Sequence, residues 1–420
     1  MQLMIGGAPD AVPSGAREQV LLLCHRIPYP PDKGDKIRSH RWLTSLAARY
    51  RVHLGAFVDD PNDWAHAERL RTLCAEVCLR PLPPVRARLR GLPALLTTTP
   101  LTVACYADRQ MAAWVRRLCA TRTLSRVIVF SSAMAQYALL PEAAGLRRVI
   151  DYVDVDADKW RQYAERKRAP MSWLYAREAR CLLAYDARVA RAFAASLFVS
   201  APEAALFLRM TGAPGSAAVP NGVDSAYFAP MAARPSPFND SVQVLVFTGA
   251  MDYWANVDAV RWFAAEVWPL VRQRMSSARF YVVGARPTRE VSKLVGEGIV
   301  VTGRVPDVRP YLQHAAAVVA PMRIARGIQN KVLEGMAMGR VVVTTPMGLE
   351  GIDAEPGRHL LVADEPADMA EQLVAALQGR HARVGTAARQ LIGDAYDWRI
   401  ATERFLAMVA GEPSPEQVQA

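Results

Sequence analysis

Lys331 and Glu334 stand three residues apart in Pro321–Gly339, PMRIARGIQNKVLEGMAMG, where a short loop carrying Arg323, Arg326 and Gly327 leads into an expected helix. On a helix that spacing projects both side chains from one face. A helix N-terminus presents unpaired N–H groups and the positive end of the dipole, which suits a phosphate. Asn330 stands at that start, and Gly327 lets a ligand approach the backbone. A cation beside phosphates and a carboxylate able to accept two ribose hydroxyls are what a nucleoside diphosphate requires. The same two residues also fit an ordinary surface Lys–Glu pair.

The elements that must carry these residues are legible as alternating apolar runs and helical stretches. Strands are expected at Val20–Cys24, Arg51–Phe57, Arg126–Ser131, Arg148–Val153 and Ser196–Ser200, with helices such as Lys36–Arg49 and Met134–Leu140 between some of them. A long helical region, Asp156–Ala195, is interrupted at Pro170. Beyond the turn signal Val219–Asp224 and the Pro-rich stretch Pro230–Asp240, the alternation restarts. Strands are expected at Val242–Thr248, Arg279–Val283, Ile299–Thr302, Ala316–Ala320, Val341–Thr345 and His359–Val362. Helices fit Asp258–Arg274, Val308–His314, Asn330–Met338 and Pro366–Leu377. Such alternation predicts α/β architecture with doubly wound parallel sheets. The expected organisation is a tail over 1–19, one Rossmann-like domain over 20–228, a second over 241–395, and a final helix over 396–411.

Composition narrows the class. At 420 residues the chain exceeds one ordinary core. Its 51% hydrophobic and 22% charged residues are globular values. The first 16 residues lack the basic and apolar regions of a secretory signal, and the longest uncharged run, Gly91–Ala107, is too short and broken to span a membrane. A cytoplasmic protein is the expectation. Six scattered cysteines read as reduced thiols; Cys74 and Cys78 would share a helix face but lack a second ligand pair for zinc. The net charge of +11 is uneven: residues 1–230 hold 31 Lys and Arg against 20 Asp and Glu, while 231–420 hold 20 of each. That half is expected to face something anionic, such as a membrane surface or a lipid diphosphate. Nucleic acid is not expected as a partner, because no helix-turn-helix, zinc-finger or RNP signature is present. A Rossmann dehydrogenase is disfavoured too, since no Gly-x-Gly-x-x-Gly follows the first strand.

Gly327-x-x-x-Lys331-x-x-Glu334-x-Met336-Ala337, followed by Gly339 and Val341–Thr345, resembles the donor site of glycosyltransferase family 4. Pro220-Asn221-Gly222-Val223-Asp224, Gly249 after its strand, Thr302-Gly303-Arg304-Val305 and Gly348-Leu349-Glu350-Gly351 match the same family. The stretches Arg26–Arg38, which holds Gly34 of an acceptor-side glycine loop, and Asp151–Trp160 are similar to the sugar transferases of PEP-CTERM/exosortase exopolysaccharide loci. The likeness runs from about Val20 to about Ala410 and implies the GT-B fold, two Rossmann-like domains facing a central cleft. It also implies transfer with retention from a nucleotide-sugar donor to a glycan or polyprenyl-diphosphate-linked acceptor, with no other cofactor.

That resemblance assigns Gly249, Arg326, Gly327, Asn330, Lys331 and Glu334 to the donor. The family pattern has an earlier glutamate where this chain has Arg326, which offers a cation to a diphosphate or an acidic sugar. Lys331, Arg323 and the helix N-terminus are expected to neutralise the leaving diphosphate without a metal. Gly34, Asp151 and Asp154 are expected on the acceptor side, because strand-terminal carboxylates of open α/β sheets face the ligand crevice. Asp154-x-Asp156 has the spacing of a metal-binding pair, but its distance from the nucleotide signature favours acceptor orientation, with Asp154 as a catalytic candidate. His25, after the first strand, is the candidate to activate or orient an acceptor hydroxyl. Arg86, Arg88 and Arg90, in PLPPVRARLRG, suit a peripheral membrane contact. A nucleotide-sugar 2-epimerase and a non-catalytic subunit of a polysaccharide assembly complex are the alternatives.

Overall fold

The structure, a computed structural model, describes residues 17–31, 34–239, 242–324 and 327–412, without the side chains of Pro84, Arg86, Ala87 and Arg88. It holds two parallel-sheet units. One comprises residues up to Ser196 with Met210–Gly215 and residues from Leu406 onward; the other comprises Leu197–Arg209 and Ser216–Phe405.

The first sheet has seven strands: β1 (Gln19–Cys24), β2 (Arg51–Val58), β3 (Glu76–Pro81), β4 (Leu124–Phe130), β5 (Arg147–Val153), β6 (Ala195–Phe198) and β7 (Ser216–Ala218). Their order is β3-β2-β1-β4-β5-β6-β7. β1 pairs in parallel with both β2 and β4, so Leu21 lies between His53 and Val127. Val20–Cys24 is wholly buried, as a strand covered on both faces must be. β3 and β7 were not expected. β3, EVCLRP, is only half-buried and lacks a clean apolar alternation, and β7 is three small residues, SAA. Cys74 and Cys78 do not share a helix: Cys74 ends the helix Ala67–Leu73 and Cys78 lies in β3. Between β5 and β6 the chain forms an antiparallel helical hairpin, Asp156–Arg166 and Met171–Ala192, broken where Pro170 was expected to break it.

The second sheet holds β8 (Val244–Thr248), β9 (Arg279–Val283), β10 (Ile299–Gly303), β11 (Ala317–Ala320), β12 (Val341–Thr344) and β13 (Leu361–Val362), ordered β10-β9-β8-β11-β12-β13. All its pairings are parallel. Its core packs Phe247, Phe263, Trp268 and Phe280 with the buried valines of β11 and β12. The helix expected over Asp258–Arg274 is instead Trp254–Trp262 and Trp268–Arg274 joined by a π turn, Phe263–Val267. Pro269 explains the interruption, since it has no N–H to continue an α ladder.

In each sheet the strand order reverses once, between β1 and β4 and between β8 and β11. Open α/β sheets bind ligands at the carboxyl ends of strands flanking such a reversal. Those ends lead to His25 and Ser131 in one sheet, and to Gly249 and the Pro321–Gly327 loop in the other.

Candidate functional site

After β11, Pro321 and Met322 are buried, and the Thr345 hydroxyl donates to the Met322 carbonyl. The loop turns at Gly327, whose φ of +63° suits glycine. Gln329 Nε2 donates to the Gly327 carbonyl at 3.1 Å, and the helix Asn330–Ala337 begins. No side chain caps this helix start. Its seat on the sheet is set by Gly335: a Cβ there would lie 2.9 Å from Val342 and 3.2 Å from Val318. The helix backbone therefore rests directly on β11 and β12, which points Lys331 and Glu334 along the opposite flank.

Lys331 Nζ lies 3.4 Å from Gln329 Oε1, 3.7 Å from Met322 Sδ and 5.5 Å from the centre of the Phe247 ring. Among the described residues it has no ion pair, and the Glu334 carboxylate accepts no hydrogen bond. Both keep some surface open to solvent while protein crowds them on most sides. Burial pulls the Lys331 ammonium down to about 8, with the Glu334 charge opposing. Burial likewise pushes the Glu334 carboxyl up to about 7, with Lys331 opposing. Asn330 adds a buried Oδ1 without a partner among the described residues. Crowded polar groups without a counter-ion in contact, gathered at a strand end, mark a candidate ligand site.

Gly249 closes the other side of this reversal. It donates to the Val283 carbonyl at 3.1 Å, and a Cβ on it would meet Asn256 Nδ2 at 2.6 Å. The side chains of Thr248 and Asn256 beside it each keep an unpaired buried oxygen among the described residues. Asn256 closes the stretch Asp252–Asn256, whose sequence suggests stacking or hydrogen bonding to a donor, whereas Thr248 was not singled out, because a lone hydroxyl carries no pattern.

Two donor-side candidates stand apart from this cluster. Arg323 is bound to Asp258, Nη2 to Oδ1 at 2.7 Å and Nε to Oδ2 at 3.1 Å. It lines a cavity of about 1110 Å³ whose walls include neither Lys331 nor Glu334. The neutralising role expected of Arg323 would have to compete with this partly exposed ion pair. Arg326 lies outside the described residues.

On the first sheet, the His25 ring stacks on Phe130, centroids 5.8 Å apart and planes 6° apart. Its Nε2 is 3.4 Å from Asp35 Oδ2, and its Nδ1 is buried without a partner among the described residues. Burial raises Asp35, but the His25 hydrogen bond and the Arg26 charge hold it well below the usual carboxylate range. Asp35 follows Gly34, which opens the helix Gly34–Arg49 exposed and with free space around it. This gives an imidazole with one nitrogen tied to a carboxylate, the arrangement that orients a ring for proton transfer.

Asp151 does not face solvent. It is fully buried and accepts Arg38 Nε at 2.7 Å, Trp42 Nε1 at 2.6 Å and the Val153 amide at 3.1 Å. Its place on the acceptor side is therefore as framework, not contact. Its backbone carbonyl also accepts the Ser131 amide at 2.8 Å. Ser131 and Val153 both hold a positive φ, +81° and +71°, which side-chain-bearing residues rarely adopt. One buried aspartate thus holds both strained residues at adjacent strand ends. Asp154, just beyond, accepts Lys159 Nζ at 2.8 Å, and the same ammonium reaches Asp156 at 2.9 Å. The Asp154-x-Asp156 spacing serves a lysine. Arg38 and Lys159 were not anticipated as partners, because nothing in their local sequence marks which carboxylate they meet.

Residues 242–379 match the family model described as Glycosyl transferases group 1. No curated protein matches the chain. Among solved structures, HepE from Anabaena in complex with UDP is similar at 14% identity and a TM-score of 0.66, covering 94% of this chain and all of that one. Sucrose-phosphate synthase from Thermosynechococcus elongatus is similar at 16% identity and 0.68, covering 94% and 99%. WaaG, a glycosyltransferase involved in lipopolysaccharide biosynthesis, is similar at 18% identity and 0.62, covering 93% and 100%. Across its length this chain has the two-Rossmann GT-B fold, and its second unit carries the group 1 glycosyl transferase pattern.

Proposed function

We propose that the protein is a glycosyltransferase that binds a nucleoside-diphosphate sugar at Gly327–Glu334 and transfers the sugar with retention, without a metal. The observation that carries this reading is the unpartnered Glu334 carboxylate beside an ammonium with no ion pair among the described residues, at an uncapped helix start on the strand reversal of the second sheet. Glu334 would accept the ribose diol. Lys331 and the helix N-terminus would take up the charge that grows on the departing diphosphate. The group 1 pattern over these residues supports the same ligand class, and the UDP and UDP-glucose bound to HepE favour a uridine donor.

On the first unit, His25 with Asp35 and the Asp154–Lys159–Asp156 cluster would hold the acceptor hydroxyls. The ordered motifs near Gly34 and Asp151–Trp160 favour a glycan or polyprenyl-diphosphate-linked acceptor in exopolysaccharide biosynthesis, reached at the cytoplasmic face of a membrane. The test is thermal shift of the purified chain against UDP-, GDP-, dTDP- and CMP-sugars in EDTA, repeated on Glu334→Ala. Stabilisation by one nucleotide class, lost in the variant, is expected; no shift with any of them would sink the donor site. The anomeric proton of the product, read by NMR, checks retention.

A further inference from the structure

The first unit exposes apolar side chains on two segments that the fold ties together. Leu92, Leu95 and Leu96 lie open to solvent, Leu96 at 92% exposure. On the helix Met171–Ala192, Met171 and Trp173 are also open, Trp173 at 73%. Arg177, one turn beyond Trp173, donates to the carbonyls of Ala94, Thr97 and Thr99, the last at 3.2 Å. The next residue, Glu178, is buried and accepts the amides of Leu101 and Thr102 at 2.7 and 2.8 Å. Leu92–Thr99 is thereby fastened to the start of the long helix, with their apolar side chains left outward.

The turn that joins the two helices of the hairpin is Arg166-Lys167-Arg168, exposed, with no ion pair among the described residues. The hairpin also walls an apolar slot of about 430 Å³ with Ala164, Trp173, Ala176, Ala179 and Leu183; the exposed Arg180 and the paired Arg161 and Glu165 share its lining. Polar atoms contribute little to that wall, so water gains little there and a hydrocarbon chain fits. Open leucines and a tryptophan beside unpaired cations are the composition of a surface that rests at a membrane interface.

We propose that this face, formed by Leu92–Leu96, Trp173 and the Arg166–Arg168 turn, docks the protein on an anionic lipid bilayer. The apolar side chains enter the headgroup region while the cations meet lipid phosphates. The slot receives one hydrocarbon chain. This deepens the reading of a lipid-linked acceptor by naming the surface that meets the membrane, and the two fail separately, because nucleotide response is read without lipid.

Co-sedimentation of the full chain with phosphatidylcholine vesicles, with and without phosphatidylglycerol, tests the proposal. Binding is expected only with phosphatidylglycerol and should weaken as salt is raised. Because each basic residue at such a surface contributes about fivefold, the triple reversal Arg166→Glu, Lys167→Glu, Arg168→Glu should lower partitioning at least about tenfold. Leu96→Ser with Trp173→Ser should lower it comparably at unchanged salt dependence. Both variants alter exposed side chains and should keep the wild-type melting temperature. Wild-type binding by both, or binding lost on Arg86→Glu with Arg88→Glu but kept in the hairpin variants, would overturn the assignment. Equal binding to vesicles without phosphatidylglycerol would overturn it too.

Discussion

Lys331 and Glu334 share one helix face and oppose each other's burial, yet no hydrogen bond or ion pair joins them. Lys331 donates to the neutral Gln329 Oε1 and Met322 Sδ and Glu334 accepts no hydrogen bond among the described residues, so no counter-ion in contact relieves either crowded charge. A nucleoside diphosphate would relieve both at once, with its phosphates against the ammonium and its ribose against the carboxylate.

These two charges therefore oppose folding until a ligand meets them. Glu334→Gln and Lys331→Met should each raise the melting temperature of the unliganded protein, by an amount equivalent to ~1–3 kcal/mol. The same variants should bind UDP about tenfold or more weakly, the loss expected when a charged hydrogen-bonding group is removed. Calorimetric titration and thermal unfolding on the same samples would read both. A variant that lost stability and kept affinity would contradict the assignment.

Donor affinity should depend on pH. With Glu334 at about 7, the carboxylate proposed to accept the ribose diol is mostly protonated below neutrality, so affinity should rise through that value. With Lys331 at about 8 in the empty site, affinity should fall above it unless the diphosphate restores the proton. For stability the signs are fixed. The raised carboxyl contributes stability that is present below about 4.5 and lost as pH rises through about 7. The lowered ammonium contributes stability that grows as pH rises from about 8 toward 10.5. UDP titrations in buffers of different ionisation heat, across this range, would reveal the proton exchange.

Gly335→Ala should damage the site without touching its polar groups. The added methyl would stand 2.9 Å from Val342 and force the helix off the sheet. Overpacking of this kind costs about 1–3 kcal/mol, and the displaced helix should lose UDP affinity as well. Gly339→Ala tests a different demand: a φ of +65° there, with the nearest atom 3.7 Å away, should cost stability through backbone strain with little effect on the ligand. Melting temperature against UDP affinity separates the two.

Asp151→Asn should destabilise the first unit by about 3–5 kcal/mol, because it breaks the buried ion pair with Arg38. Adding Arg38→Met should recover part of that loss. Denaturant unfolding of the single and double variants would measure the coupling. A near-neutral single substitution would mean the pair is not closed in solution.

Much of this architecture is legible in the sequence, and the gaps have physical causes. Apolar runs such as Val20–Cys24 and Val341–Thr344 appear where expected, since strands covered on both faces leave no other reading. The half-buried edge strand β3 was not legible, because its residues meet solvent and sheet alike. At the site, Gly327, Asn330, Lys331 and Glu334 come together because one loop and one helix carry them. The buried role of Asp151 was not legible. A charged side chain at a strand end looks the same in sequence whether it meets a ligand or a partner 113 residues away, as Asp151 meets Arg38.

The double hold of Asp151 on Ser131 and Val153 also bears on how this sheet can diversify. Two strained backbones share one buried fastener, so a substitution there alters two strand ends together and unsettles the Arg38 charge at the same time. Changes of side-chain chemistry on this rim are thus channelled away from the strand ends and onto the residues that follow them. His25 can be exchanged against Asp35, and Asp154 together with Lys159, while the rim that presents them keeps its shape.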